Sequence, residues 1–334
     1  MNPLVTLVVP TLNRPGYLRE TLLCVLMQDY PNLEIIVSDN GSHDETPTVA
    51  QMMIKGDPRA RFRSNRETVS QQDHFTQCLQ AAHGEYFILV CDDDRINPSF
   101  VSELVRVAAR YPDVNVVVPA NATIDEQGAV IDEFAKPEAD VLDGCEFVCY
   151  WLYGRRPRLF SSVVTVLMRT ESMRRFGFHG LEGGRNNDNL LFIQCAITGR
   201  VGFARDAVFY SRIHTNSYGA ASTPKQIVES SQQFLQHLRR EPTTLEALRA
   251  LPRQRRKQIL NGVRFMTAHE LCYCVESREG VFGWKSLRQK LMFRCDPIFC
   301  YVVLRRYGCQ LRRHLWQCGS RPAAASESPA CIPE

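Results

Sequence analysis

Four times in its first 120 residues this chain alternates a strand-length run of aliphatic and β-branched residues with a stretch of helical periodicity. Leu4 to Val9 (LVTLVV), Leu33 to Ser38 (LEIIVS), Glu85 to Cys91 (EYFILVC) and Val114 to Pro119 are the strand runs. They are almost continuously apolar. Such a run suits a strand covered on both faces, as in a parallel sheet packed between helices. Between them, residues 17–28 repeat Leu18, Leu22, Val25 and Leu26 at helical spacing, and residues 44–55, 75–82 and 98–110 read as further helices. Alternation of this kind predicts an α/β fold with a doubly wound, mostly parallel sheet.

Beyond Asn121 the pattern becomes mixed and irregular as far as Phe160. Residues 162–168 (SVVTVLM) then read as a strand, 171–176 as a short helix and 177–184 as a glycine-rich loop. Residues 188–196 are apolar at helical spacing, which puts Asp188 near a helix N-terminus. Residues 203–211 return to strand and end in Arg212-Ile213-His214. From Lys225 onward the chain reads as helical, with arginines among apolar residues, and from Gly319 it is low-complexity and expected to be disordered. The division expected is an α/β body over 1–225, with halves of about 1–120 and 121–225. A helical basic extension over 226–318 and a tail over 319–334 follow. The sequence contains no internal repeat.

With 334 residues and 44% hydrophobic content, the chain can bury a large core, which excludes wholesale disorder. No apolar run approaches the roughly 18 residues of a membrane span. The N-terminus lacks a basic n-region and is not expected to be a signal peptide. The expected location is cytoplasmic, or peripheral at the inner face of a membrane. Thirteen cysteines are scattered without a CxxC pair, and Cys24, Cys78, Cys91 and Cys195 lie inside apolar segments; they are expected to be buried and reduced. Charge is unevenly shared. Residues 239–334 hold 18 basic and 8 acidic residues, whereas residues 1–238 hold 22 and 28. The basic end must meet something negative, whether counter-ions, a membrane or nucleic acid.

In doubly wound sheets ligands bind beyond the carboxyl ends of the strands. Polar clusters fall at those ends here: Thr11 to Arg14, Asp39-Asn40, and Asp92-Asp93-Asp94. Three adjacent carboxylates repel one another, so they are either fully solvated, as in an acidic turn, or neutralised by a cation. Hard oxygen ligands favour Mg²⁺ or Mn²⁺, ions that commonly share their shell with phosphate. A dinucleotide oxidoreductase is disfavoured, since no GxGxxG follows any predicted strand. So is a nucleotidyltransferase, because the loop from Pro10 to Gly16 carries a single glycine.

The opening VTLVVPTLNRPGYLRETLLCVLMQDYPNLEIIVSDNGSHDET resembles that of the family 2 glycosyltransferases, which have the GT-A fold. The resemblance continues through Ala81 to Tyr86, Asp92 to Asp94, Asn187 to Leu191 and Arg212 to His214, about residues 4 to 217 in all. It implies a GT-A-like catalytic domain that moves a sugar from a nucleoside-diphosphate sugar to an acceptor hydroxyl. It also implies that Pro10, Thr11, Asn13, Arg14, Asp39, Asn40, Asp92 and Asp93 contact the donor. By the same resemblance Asp94 holds the metal, His214 joins it or the diphosphate, and Asp188 is the catalytic base. The chain departs from the family's common Glu-Asp in having Asn187-Asp188, and has His74 where the family often has asparagine. Read without the family, an Asp placed like Asp188 is also a common helix N-cap, and a lone histidine like His214 is more often structural. A catalytically inactive module of the same fold is the alternative reading.

The chemistry suits these residues. A cation stabilises the diphosphate that departs from C1, and a carboxylate deprotonates the incoming hydroxyl, which attacks from the opposite face. One base without a second catalytic carboxylate implies inversion. The expected acceptor is a saccharide or lipid-linked saccharide of a surface polysaccharide or glycolipid. The arginines after Arg239 either pack as solvated helices on the body or rest on anionic lipid. Nucleic acid is not expected, because the acidic body repels it and no recognition motif appears.

Overall fold

The structure is a computed structural model that describes residues 2–133, 138–153, 164–178, 187–214 and 224–279. The chain splits into two units, Met1–Cys274 and Val275–Glu334, and the fold described is that of the first. Its first half runs β1 (Val5–Thr11), α1 (Pro15–Leu26), β2 (Leu33–Asp39), α2 (Thr46–Ile54), β3 (Ala60–Ser64), α3 (Gln71–Ala81) and β4 (Tyr86–Leu89). Next come β5 (Arg95–Ile96), α4 (Phe100–Arg110), β6 (Val114–Ile124), β7 (Val130–Glu133), β8 (Val141–Asp143) and α5 (Gly144–Leu152). The rest is β9 (Leu167–Arg169), α6 (Thr170–Phe176), α7 (Asn187–Ala196), β10 (Arg200–Arg212), α8 (Pro224–Arg240), α9 (Pro242–Ala250) and α10 (Arg253–Glu279).

Among the described residues these strands form one mixed sheet in the order β3-β2-β1-β4-β9-β6-β10-β5, with β7 beside β6 and β8 beside β10. The pairs β3-β2, β2-β1, β1-β4 and β6-β10 are parallel, while β9 runs antiparallel between β4 and β6. The continuous apolar runs are explained by the two cores they serve. Val5, Leu7 and Val9 of β1 enter one cluster with Leu18, Leu22, Phe100 and Leu104, against α1 and α4. Val8, between them, enters the other with Phe147, Phe192, Phe234 and Ile259, against α5, α7, α8 and α10. Alternate side chains of one strand thus fill opposite layers.

Parallel pairing brings the carboxyl ends of β1, β2 and β3 level: Thr11 pairs with Asp39, and Asp39 with Ser64. The Asp92–Asp94 segment follows β4 at the same edge. The doubly wound architecture expected from the alternation is therefore present, and several elements extend beyond their expected limits. The strand expected to stop at Pro119 continues to Ile124. Pro119 has no N–H to donate, and β10 accommodates it with a bulge between Ala204 and Val208, opposite Pro119 and Ala120. The helix expected from Phe75 begins four residues earlier, at Gln71, where the Ser70 hydroxyl caps the Asp73 N–H. Residues 162–163 of the expected strand and most of the glycine-rich loop lie outside the described residues. No helix among the described residues is long and apolar enough to cross a membrane.

Candidate active site

A cleft of about 430 Å³ opens at the carboxyl edge of the sheet, between the loops after β1, β2 and β4 and the end of β10. Its walls include Pro10, Thr11, Arg14, Asn40, His74, Asp92, Asp93, Asp94 and Arg212. Most residues expected at a site are thus brought to one place, although they come from segments up to about 200 residues apart in the chain.

The three aspartates are held in different ways. Asp92 is buried and accepts a hydrogen bond from the Thr11 hydroxyl at 2.7 Å and one from the Arg14 guanidinium at 3.3 Å. Burial pushes its carboxyl up to about 6, with Arg14 opposing and the charge of Asp93 adding to the effect. Asp93 receives Arg14 at 2.9 Å on the same oxygen that lies 2.9 Å from His214 Nε2. Asp94 is buried, accepts the backbone N–H of Arg212 at 3.0 Å, and is driven well above the carboxylate range by burial and by Asp93. His214, expected to join the metal or the diphosphate, faces Asp93 through its Nε2, whereas the Arg212 N–H faces Asp94.

Arg212 was not among the expected site residues, yet it ties the edge together. Its buried guanidinium bonds the Asp93 carbonyl at 2.8 Å, the Glu20 carboxylate at 2.7 Å and the Glu126 carbonyl at 2.7 Å. It also stacks over the Tyr17 ring, 5.3 Å from its centroid, and Tyr17 in turn lies 5.0 Å from the His214 ring. The Thr21 hydroxyl donates to the Asp94 carbonyl at 2.8 Å. Helix α1 therefore buttresses the acidic segment. In the sequence it was marked only by its place in the Arg212-Ile213-His214 segment at a strand end, where the resemblance runs, with no role attached.

The remaining expected residues divide by what their polar atoms already do. Asp39, almost fully buried, accepts from the Ser42 N–H and from the Ser64 hydroxyl at 2.7 Å. The Asn40 amide accepts from Asn65 and from the Val69 N–H and donates to the Val69 carbonyl. It thereby holds the 65–69 loop that forms one lip. Asn13 has a positive φ of 52° and accepts from the His43 N–H, tying the first loop to the second. It lines a neighbouring hollow with Tyr17, Glu20 and His214 rather than the main cleft. His74 lines the cleft with its Nε2 2.9 Å from the Ser38 hydroxyl, and burial beside Arg63 lowers its pKa to about 4, so it is neutral at pH 7. Asp188 sits in the first turn of α7, outside the described lining of the cleft. Residues 181–186, which lead into it, lie outside the described residues.

The Asp93 and Asp94 carboxylates could hold a divalent cation, whereas burial keeps the neighbouring Cys91 thiol protonated and unsuited to a hard ion. One donor atom each from Cys91, Asp93 and Asp94 lies within 4.8 Å of the others. Burial and mutual repulsion disfavour the charged forms of Asp92 and Asp94, a penalty that a bound cation removes.

Residues 6–158 match the family model described as Glycosyl transferase family 2. Among curated proteins, the GalNAc(5)-diNAcBac-PP-undecaprenol beta-1,3-glucosyltransferase of Campylobacter jejuni is 31% identical over 135 residues, 40% of this chain and 42% of that one. Glycosyltransferase GlyG of Streptococcus pneumoniae is 29% identical over 126 residues, 38% of this chain and 42% of that one. The chain thus spans about two fifths of the length of these relatives. Among solved structures, S. aureus TarS 1-349 in complex with UDP-GlcNAc aligns with a TM-score of 0.55 at 15% identity, over 83% of this chain and 92% of that one. The mannosyltransferase PcManGT from Pyrobaculum calidifontis, in complex with GDP-Man and Mn²⁺, gives 0.53 at 18% identity, over 95% and 88%. The fold is that of the GT-A glycosyltransferases.

Proposed function

We propose, from the match of residues 6–158 to the glycosyl transferase family 2 model, that the protein moves a sugar from a nucleoside-diphosphate sugar to an acceptor hydroxyl, with inversion and with Mg²⁺ or Mn²⁺. The observation that carries this reading is the acidic edge: three consecutive aspartates, two of them with raised pKa, faced by Arg14, His214 and Arg212 around a cleft of about 430 Å³. That volume lies within the roughly 300–1,000 Å³ usual for small-molecule sites.

Each residue then has a task. Asp39, at the end of β2, takes the base and ribose, with Thr11 and Pro10 forming the wall beside it. Asp92, fixed by Thr11 and Arg14, orients the donor sugar or ribose. Asp93 and Asp94 would hold the cation, with His214 joining from the side of Asp93. Bound there, the cation supplies Lewis-acid stabilisation of the diphosphate leaving group. Arg14, next to Asp92 and Asp93, adds a guanidinium fork suited to phosphate oxygens. Asp188 takes the proton of the acceptor hydroxyl. As the acceptor oxygen bonds to C1 from one face, the C1–O bond to phosphate breaks on the other and its electron pair leaves with the diphosphate. The acceptor class suggested by the Campylobacter relative's name is a lipid-linked saccharide, and the reading we favour sets the reaction in surface polysaccharide or glycolipid synthesis at the cytoplasmic face of a membrane.

The test is release of nucleoside diphosphate from a panel of sugar nucleotides, with Mn²⁺, Mg²⁺ or EDTA, for wild type, Asp93→Asn and Asp94→Ala. Metal-dependent turnover of one donor, reduced by roughly 10²-fold or more in either variant, is the expected result. Absence of turnover together with absence of calorimetric binding of every donor overturns the reading.

A further inference from the structure

Helix α10 carries two faces that do different work. Ile259 and Val263 are fully buried in the core. Around the cylinder, Arg253, Arg256, Lys257, Asn261 and Arg264 recur every three or four residues, which places them along one side of three turns. The C-terminal end of α8 adds Arg239, and these residues together with Leu260 enclose a hollow of about 280 Å³. Five cations and no acid line it. Among the described residues, Arg239, Arg253, Arg256 and Lys257 make no side-chain ion pair, and the nearest acids in sequence are engaged elsewhere. Glu241 caps α9 through the Thr243 and Thr244 N–H groups, and Glu246 pairs with Arg175.

Like charges one turn apart on a helix repel, by a few tenths of a kcal/mol per pair. A stripe of this kind is relieved by an anion that meets several of its members together. The hollow falls just below the range of ordinary ligand pockets, too small for a whole nucleotide and wide enough for a phosphate or diphosphate. A carboxylate brings one charge against the four cations that make no ion pair, whereas a diphosphate brings two or more and offers oxygens on both phosphorus centres to guanidinium forks. A long polyanion is disfavoured by the net negative charge of residues 1–238.

We propose that the α8–α10 hollow is a second anion site, distinct from the acidic cleft, that takes a phosphate or diphosphate group. The group comes either from a lipid headgroup or from a soluble phosphate, and the site does not depend on the transferase reading.

Calorimetric titration of the full chain with inorganic pyrophosphate in EDTA tests it, for wild type, Arg256→Glu/Lys257→Glu and the milder Arg256→Gln/Lys257→Gln. The acidic cleft is common to all three proteins, so any difference reports the hollow. Wild type is expected to bind, the reversal to lose affinity by about tenfold or more, and the neutral pair to fall between. Unchanged far-ultraviolet circular dichroism of the neutral pair keeps the comparison valid if the reversal misfolds. Equal pyrophosphate binding by wild type and the neutral pair overturns the proposal. Sedimentation with phosphatidylglycerol–phosphatidylcholine vesicles separates the sources. Wild-type binding that pyrophosphate displaces and the neutral pair weakens assigns the site to lipid phosphate, and pyrophosphate binding without vesicle binding assigns it to a soluble one.

Discussion

Glu34 stands on β2 with its carboxylate shared among three neighbours. The Thr6 hydroxyl of β1 donates at 2.5 Å, Arg61 of β3 at 3.1 Å, and the His83 backbone N–H at 3.0 Å with its ring nitrogen at 2.7 Å. Burial alone would raise its pKa. The hydrogen bonds from Thr6, His83 and Arg61 outweigh that and bring it from the ordinary 4.5 to about 2. A folded-state pKa below the unfolded one stabilises the fold above the unfolded value, and the benefit is lost as pH falls through the folded one. Glu34→Gln is therefore expected to cost about 2 kcal/mol at pH 7, less than the full shift implies because Arg61 and His83 are well exposed. Urea midpoints at pH 7, 5, 4 and 3 check this: the gap between wild type and variant should stay constant down to about pH 5 and narrow below it. A gap independent of pH would show that the carboxylate's charge is irrelevant. Among the site residues, Thr11, Asp39 and the three aspartates were legible as polar groups at the ends of apolar runs. Arg212 was not, because its value lies in partners 86 or more positions away, at Glu126, Asp94, Asp93 and Glu20.

Elements that could be read from the chain were those whose side chains declare two buried faces. β1, β2 and β4 were plain, whereas β3 (ARFRS) puts two arginines on an edge strand and looks like a loop until Arg61 and Arg63 are seen bonding Glu34, Ala81 and Gln77. α5 was likewise hidden in the irregular region after Asn121. Its start depends on Asp143 capping the Glu146 N–H and on a glycine, signals that need a packing partner to acquire meaning. That glycine is Gly144, whose N–H donates to the Gly199 carbonyl at 3.0 Å. A Cβ there would fall on the Ala196 carbonyl oxygen and lie 2.5 Å from that of Gly199. Because both obstacles are backbone, the α7–β10 turn has to move, and Gly144→Ala is expected to cost about 3 kcal/mol or more. The same change at Gly16, in the first turn of α1 with nothing within 4 Å of the added carbon, is expected to stabilise by about 0.4–1 kcal/mol through the unfolded chain. Thermal melts of the two variants should move in opposite directions, and a shared direction would discredit the steric argument.

At the scale of the molecule, the question is whether the helices after β10 are an attachment to the α/β body or part of it. The shift to helical and basic sequence near residue 225 was legible, and α8 does begin at Pro224. What composition could not convey is which faces of those helices are buried. Phe234 and Leu238 of α8, Leu248 of α9, and Ile259 and Val263 of α10 are 0–3% exposed. They lie in the same cluster as Val8, Phe87 and Leu89 of the central strands. At about 1.5–3 kcal/mol for each fully buried side chain, five of them contribute on the order of 8–15 kcal/mol. That is as large as the whole net stability of a typical domain, about 5–15 kcal/mol. The cationic face of α10 is thus carried by a helix whose opposite face the sheet requires. On this argument the junction just before Pro224 is no domain boundary. Residues 1–223 keep every described strand and every residue lining the acidic cleft, yet they should fail to unfold cooperatively in urea. Residues 1–279, which keep α8 to α10 whole, should show a single transition with all probes coincident. Cooperative unfolding of the shorter chain at the same midpoint would mean that the helices only rest on a body complete without them.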